Sequence, residues 1–209
     1  TSSAAVVRFC QRLGLKGYAD FKLRFVAEAM QSGLQAGESH SITRKDTILS
    51  AVDKVTSIEI GALQDTRNDI DPAVLMRTVH WIDQAECVDF YALDNNLHLA
   101  EMASYSFLHA GKFSTAHAAA TELYLQAVSA DKHRLAFLIS RTGENRRLID
   151  IAEALQERKC RIILLTAARK STLASMAEET LCAATEHSFD ELENFVFLLS
   201  AKYMIDILF

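Results

Sequence analysis

Residues 135–152 read Leu135-Ala136-Phe137-Leu138-Ile139-Ser140-Arg141-Thr142-Gly143-Glu144-Asn145-Arg146-Arg147-Leu148-Ile149-Asp150-Ile151-Ala152. The first five are an unbroken apolar run of strand length. A short polar turn built around one glycine follows, and then apolar residues recur at helical spacing. A strand that is apolar at every position belongs in a sheet covered on both faces, since each face then needs side chains to bury.

The same alternation extends outward. Apolar runs at 87–93, 112–116, 161–166 and 180–184 join the run at 135–140. Helical patterns at 97–110, 117–129, 144–158 and 171–177 separate them, and a helix at 190–209 closes the chain. Strands that alternate with helices predict an α/β fold: a five-stranded parallel sheet with right-handed crossovers and helices on both faces. Ligands of such sheets bind beyond the carboxyl ends of the strands.

Upstream, Asp46 reads as the N-cap of a helix to about residue 68, with a stripe of Leu49, Val52, Val55, Ile58 or Glu59, and Ala62 or Leu63. Asp71-Pro72 opens another helix, whose buried side is Val74, Leu75, Val79 and Ile82. Residues 32–45 are small, polar and patternless, and read as a linker. Before them lie a helix at 3–13, a stop at Gly14, a short turn, and a second helix at 18–31 with Phe21 and Phe25 on one face. The expected organisation is therefore a helical head at 1–31, a linker at 32–45 and an α/β body at 46–209.

With 209 residues, 50% of them hydrophobic, the chain can enclose one sizeable core and a small appendage. No apolar run approaches the roughly 20 residues that a membrane helix needs. The first residues carry Arg8 and Arg12 without a cleavage pattern, so a soluble cytoplasmic protein is expected. Cys10, Cys87, Cys160 and Cys182 are widely spread with no C-x-x-C pair, and read as buried reduced thiols. The histidines lack metal-ligand spacing, and neither a metal nor a cofactor is expected. Five cations against Asp20 give residues 1–24 a net +4, which leaves −9 on the rest of a chain whose total is −5. A basic head on an acidic body points to nucleic-acid contact.

Two stretches carry a resemblance. The segment from Ser3 through Arg8-Phe9-Cys10, Leu13-Gly14, Gly17-Tyr18 and Phe21-Lys22 is similar to the recognition helix and following turn of the RpiR family of bacterial transcription regulators. That family's pattern is close to A-T-V-x-R-F-C-x-x-L-G-x-x-G-Y/F-x-x-L/F-K, and Ala5 stands here at the threonine. The turn Ser140-Arg141-Thr142-Gly143-Glu144-Asn145 resembles the S-x-S-G-x-S/T loop of the family's sugar-isomerase-like (SIS) domain. Thr166, Ser171-Thr172-Leu173 and the closing helix at 201–209 match further on. Two departures stand out. Ala92-Leu93-Asp94-Asn95-Asn96 occupies the place of a G-x-G-x-S turn, and Asn145 replaces a threonine or serine. The helices that would precede the recognition helix are not in this sequence, so it reads as N-terminally truncated and is expected to bind DNA poorly by itself.

The resemblance implies a DNA-binding regulator of sugar metabolism, working as a homodimer, whose SIS domain senses a phosphorylated sugar. A phosphate needs donors and positive potential, and a strand-to-helix turn with free backbone N–H groups supplies both. Candidate effector-binding residues are Ser140, Thr142, Gly143 and Asn145, with Asn95 and Asn96 from the first strand's turn; Arg146 and Arg147 would raise the local potential. For DNA the candidates are Ser2, Ser3, Arg8, Lys16 and Lys22. No catalytic residue is expected: His98, Glu101, Glu191 and Glu193 are bases by type only. The rival readings are a phosphosugar isomerase with a basic extension, and a dimerising SIS scaffold that binds no ligand.

Overall fold

The computed structural model of the chain describes residues 3–12, 14–31, 42–43, 45–185 and 190–209. Most of the 32–45 segment, and Ser2, lie outside the described residues. The chain divides into two compact units, Thr1–Ser57 and Ile58–Phe209.

The first unit begins with α1 (Ser3–Arg12) and α2 (Tyr18–Gln31). The turn between them is built by Gly14, whose φ of 75° suits a residue without Cβ. The Gly14 N–H donates to Gln11 O at 3.1 Å and the Leu15 N–H to Cys10 O at 3.0 Å, the bond pair that closes a helix in a Schellman motif. The Lys16 N–H then donates to the Asp20 carboxylate at 2.9 Å, which pins the start of α2. Cys10 is buried, while Phe9 and Tyr18 are each 57% exposed and meet Phe21 through ring contacts.

The helix α3 (Ile48–Asn68) begins in this unit and continues into the second. Its cap differs from the expectation. Thr47 Oγ1 accepts the Ser50 N–H at 3.2 Å, whereas Asp46 accepts from Thr43 N and from Lys54 Nζ. Leu49 and Val52 of the expected stripe are exposed, and the buried apolar positions are Ile58 and Ala62, which pack with Val196 and Leu192. Periodicity finds an apolar face, but only the partner element decides how far along the helix that face is covered.

In the second unit Asp71 caps α4 (Pro72–Gln84), accepting the Ala73 N–H at 2.8 Å with proline at the first turn. Within α4, Ile82 is buried and Val74 and Leu75 half-buried. Val79 is exposed and Thr78 is buried in its stead. There follow β1 (Cys87–Ala92), α5 (Asn95–His109), β2 (Ser114–Ala116), α6 (Ala120–Ser129), β3 (Arg134–Ile139), α7 (Arg146–Glu157), β4 (Arg161–Thr166), α8 (Thr172–Met176), β5 (Glu179–Cys182) and α9 (Asp190–Leu208). The five strands pair all-parallel in the order β2-β1-β3-β4-β5.

Alternate strand residues feed two cores. Val88, Phe90, Phe137, Ile139, Ile163 and Leu165 meet α4, α5 and α9 on one face. Tyr91, Ala136, Leu138, Ile162 and Leu164 meet α6, α7 and α8 on the other. Each such side chain contributes roughly 1.5–3 kcal/mol when fully buried, and covering both faces is what demands the continuous apolar runs. All four cysteines are buried free thiols. Among the described residues no helix is long and apolar enough to cross a membrane.

Candidate functional site

In the order 2-1-3-4-5 the chain runs from β1 outward to β2 and then back across to β3, so the winding reverses between β1 and β3. A crevice opens at such a switch point, outside the strand carboxyl ends. Ala92 pairs in register with Ile139. The turn 93–96 and the loop 140–145 therefore leave neighbouring strand ends, about 5 Å apart. The two stretches picked out as effector-binding are brought to this one place.

The 140–145 loop is internally organised. Ser140 is buried, and its Oγ accepts the Gly143 N–H at 3.2 Å. Its own hydroxyl proton remains to be donated. Thr142 is exposed, and its Oγ1 accepts the Glu144 N–H at 3.4 Å. Asn145 is the N-cap of α7: its Oδ1 takes the Arg147 N–H at 3.0 Å and the Leu148 N–H at 3.4 Å. Two helix-start amides are thereby occupied by Asn145 itself. Among the described residues the donors left at this turn are the hydroxyls, the Asn145 amide nitrogen and the Arg141 and Thr142 backbone N–H groups, since Ser140 N donates to Leu165 O at 3.0 Å.

Gly143 has φ +66°, and a Cβ placed there would lie 2.1 Å from Ser171 Oγ and 2.5 Å from Ser171 Cβ. Two loops pack backbone to side chain here. Leu173 N donates to Gly143 O at 3.1 Å, while Ser171 Oγ caps α8 by accepting the Ala174 N–H at 3.3 Å. The fully buried Thr166 donates its hydroxyl to Arg141 O at 3.0 Å, which ties the β4 end to the same loop.

Glu144 completes the clamp. Its carboxylate accepts from Thr172 N at 2.8 Å and from Thr172 Oγ1 at 2.7 Å. The Thr172 backbone N–H, and then its hydroxyl, hold the Glu144 carboxyl below its ordinary range. A lowered carboxyl pKa stabilises the fold above the unfolded value, about 4.3 for glutamate, and that contribution is lost as pH falls through the lowered value. We expect Glu144→Gln to be less stable than the parent at pH 7, with the difference vanishing toward pH 3. Thermal melts across that range check it; a difference that does not depend on pH would exclude the carboxylate clamp.

The arginines of the loop point elsewhere than expected. Arg146 pairs with Asp150 at 2.9 Å along α7. Arg147 lines a groove of about 440 Å³ between α6 and α7, with Tyr124, Asp150, Glu153 and Glu157. Arg141, not singled out from sequence, pairs with Glu193 at 2.6 Å. His98 and Glu101 face each other at 3.5 Å on the exposed side of α5.

Across the crevice, Asn95 and Asn96 form the first turn of α5, and Asn96 Oδ1 is buried without a hydrogen-bond partner among the described residues. Asp94, before them, holds φ 55° and ψ −133°, a conformation that costs a residue with a Cβ about 1–3 kcal/mol. Its side chain makes no capping bond. The glycine expected here by resemblance is gone, yet the backbone keeps the shape that a glycine would take. We expect Asp94→Gly to stabilise the protein by about 1 kcal/mol, since relieved strain outweighs the roughly 0.5–1 kcal/mol of added chain freedom. Denaturant midpoints measure this, and an unchanged or lower midpoint would show that the turn is unstrained.

In the head, Lys16 and Lys22 are exposed. Ser3 and Arg8 lie in α1, but their side chains fall outside the described residues. Among the described residues no cluster of histidine, cysteine or acidic side chains is arranged to hold a metal.

Comparison with known proteins adds the following. Residues 82–205 match the family model of the SIS domain, and residues 1–33 match that of the helix-turn-helix domain, rpiR family. The chain is 29% identical over 215 residues to the uncharacterized HTH-type transcriptional regulator YbbH of Bacillus subtilis, covering all of this chain and 74% of that protein. It is 29% identical over 180 residues to the HTH-type transcriptional regulator HexR of Pseudomonas aeruginosa, covering 82% of this chain and 61% of HexR. Among solved structures, the Vibrio vulnificus NanR protein complexed with ManNAc-6P superposes with a TM-score of 0.70 at 25% identity, over all of this chain and 73% of NanR. The chain belongs to the SIS-domain family, and its helical head, residues 1–33, matches the helix-turn-helix domain of the rpiR family.

Proposed function

We propose that the protein is a transcription regulator of carbohydrate metabolism whose SIS body binds a phosphorylated sugar at the β1/β3 switch point and performs no turnover. The observation that carries this reading is the pairing of Ala92 with Ile139, which sets the 93–96 turn beside the 140–145 loop. Ser140 and Thr142 offer hydroxyl donors suited to a phosphate, and the buried unpartnered Asn96 Oδ1 offers an acceptor suited to a sugar hydroxyl. Gly143 and Asn145 shape the turn; Asn95 begins the facing helix. NanR, similar in fold and 25% identical, was solved in complex with ManNAc-6P.

DNA would be read by the 1–31 head through Ser2, Ser3, Arg8, Lys16 and Lys22, joined by 32–45 to the sensing body at 46–209. Two copies would pair, since paired half-sites in DNA call for two-fold symmetry. The effector acts only by binding two arrangements of the heads unequally.

The test is a thermal-shift panel of sugar phosphates, ManNAc-6P among them, with product analysis in parallel. A melt raised by one compound without turnover supports sensing; turnover identifies an isomerase instead, and no shift with any compound leaves a scaffold. Ser140→Ala with Thr142→Ala is expected to weaken the shifting compound by about tenfold or more, from roughly 1.5–3 kcal/mol per hydrogen bond to a charged group. Equal affinity would take those hydroxyls out of the site.

A further inference from the structure

At the opposite end of the sheet, where the strands begin, lies a cavity of about 130 Å³. Trp81 from the last turn of α4 forms one wall. Lys132, His133, Arg134 and Leu135 from the segment entering β3, Arg161 at the start of β4, and Gln84 and Ala85 form the rest, and among the described residues no carboxylate lines it. The Arg161 guanidinium sits 4.4 Å over the Trp81 ring. Arg134 turns to the buried Asp89, at 2.5 Å.

Cations at strand starts often serve only to neutralise helix carboxyl ends. Here that role is filled: Lys112 Nζ donates to Asp83 O at 2.8 Å and also to Ala85 O, the carbonyls at the end of α4. Two nearby carboxylates are turned to other donors. Asp131 accepts the His133 N–H at 2.8 Å, and Asp83 accepts the Gln84 amide at 3.1 Å. Neither Lys132 nor Arg161 has an ion-pair partner among the described residues. In a chain of net charge −5 this leaves a positive, acid-free cavity with an aromatic wall.

We infer that this cavity binds a small oxyanion of phosphate size. Its volume holds roughly four waters at about 30 Å³ each, far below the 300–1,000 Å³ typical of a whole small-molecule site. One tetrahedral or carboxylate group fits within it. Lys132 supplies a mobile point charge, and Arg161, held over the Trp81 ring, adds a planar guanidinium that can donate to an oxyanion.

Trp81 is the chain's single tryptophan and lines this cavity, so its fluorescence is the readout. Potassium phosphate titrated into the full chain, against potassium chloride at equal ionic strength, should give a saturable change that chloride does not. Lys132→Ala, an exposed position that leaves Trp81 and its stacked arginine in place, should weaken phosphate by about fivefold or more, with calorimetry as a second readout. The Ser140→Ala, Thr142→Ala variant should respond like the parent. An equal response to chloride, an unchanged affinity in Lys132→Ala, or loss of the signal in the Ser140→Ala, Thr142→Ala variant would each overturn the inference. The last would locate phosphate at the switch point instead.

Discussion

Arg134→Met is expected to lower the free energy of unfolding by about 3–5 kcal/mol. Asp89 lies in the middle of β1 and is fully buried, with the Arg134 guanidinium on both its oxygens at 2.5 Å. Thr115 Oγ1 and Gln126 Nε2 also donate to Oδ1, at 2.6 and 2.8 Å. The Cys87 thiol, whose pKa burial and then the Asp89 charge push up to about 12, stays protonated and donates at 3.3 Å. Removing the guanidinium leaves a carboxylate in the sheet interior with neutral donors only. Arg134 is itself 28% exposed, so water reaches one side and draws the loss toward the lower end of that range.

The control is the double variant Asp89→Asn, Arg134→Met, which removes the charge along with its partner. It should recover most of the stability, because breaking a buried pair costs far more than replacing it. Denaturant unfolding at neutral pH compares the parent with both variants. A single variant within about 1 kcal/mol of the parent would mean that Thr115 and Gln126 suffice, and that the arginine does not hold the carboxylate.

Gly143→Ala should cost about 2–4 kcal/mol and remove any sugar-phosphate melt shift. Two causes act together. The φ of +66° strains any residue with a Cβ, and that Cβ would lie 2.5 Å from Ser171 Cβ, closer than packed atoms approach. Either the 140–145 loop or the start of α8 must move, and both are tied in place by Leu173 N to Gly143 O and by the Glu144–Thr172 clamp. Ser171→Gly separates the causes, since replacing a capping serine by glycine costs only a few tenths of a kcal/mol. In that background Gly143→Ala should retain only the backbone strain, about 1 kcal/mol. An equal cost in both backgrounds would show that Ser171 is not the obstacle.

Much of this molecule is written in local patterns. The runs at 87–93 and 135–140, and the helical spacing between them, determined a parallel sheet covered on both sides. The Asp71-Pro72 and Gly14 signals placed a helix start and a helix stop, because caps and turns depend on a few adjacent residues. The motif at Ser140–Asn145 was legible for the same reason: a strand-to-helix turn is a local object. Edges were less so. The edge strand β2 begins at Ser114 where residue 112 was expected, and α6 begins at Ala120 where residue 117 was expected.

Tertiary structure alone decided what those patterns meet. Strand order placed the 93–96 turn beside the 140–145 loop, and no local signal announces that β1 pairs with β3. Asp89 hid inside an apolar run because its partner is 45 residues away. Part of the need for glycine at 143 comes from Ser171, and only the folded chain shows that Leu49, Val52 and Val79 are left exposed. Arg146 and Arg147 looked like part of the anion site; Arg146 pairs with Asp150 along α7, and Arg147 lines the groove between α6 and α7. Backbone preferences act over a few residues, while burial, charge pairing and cavity shape depend on residues that only the folded chain brings together.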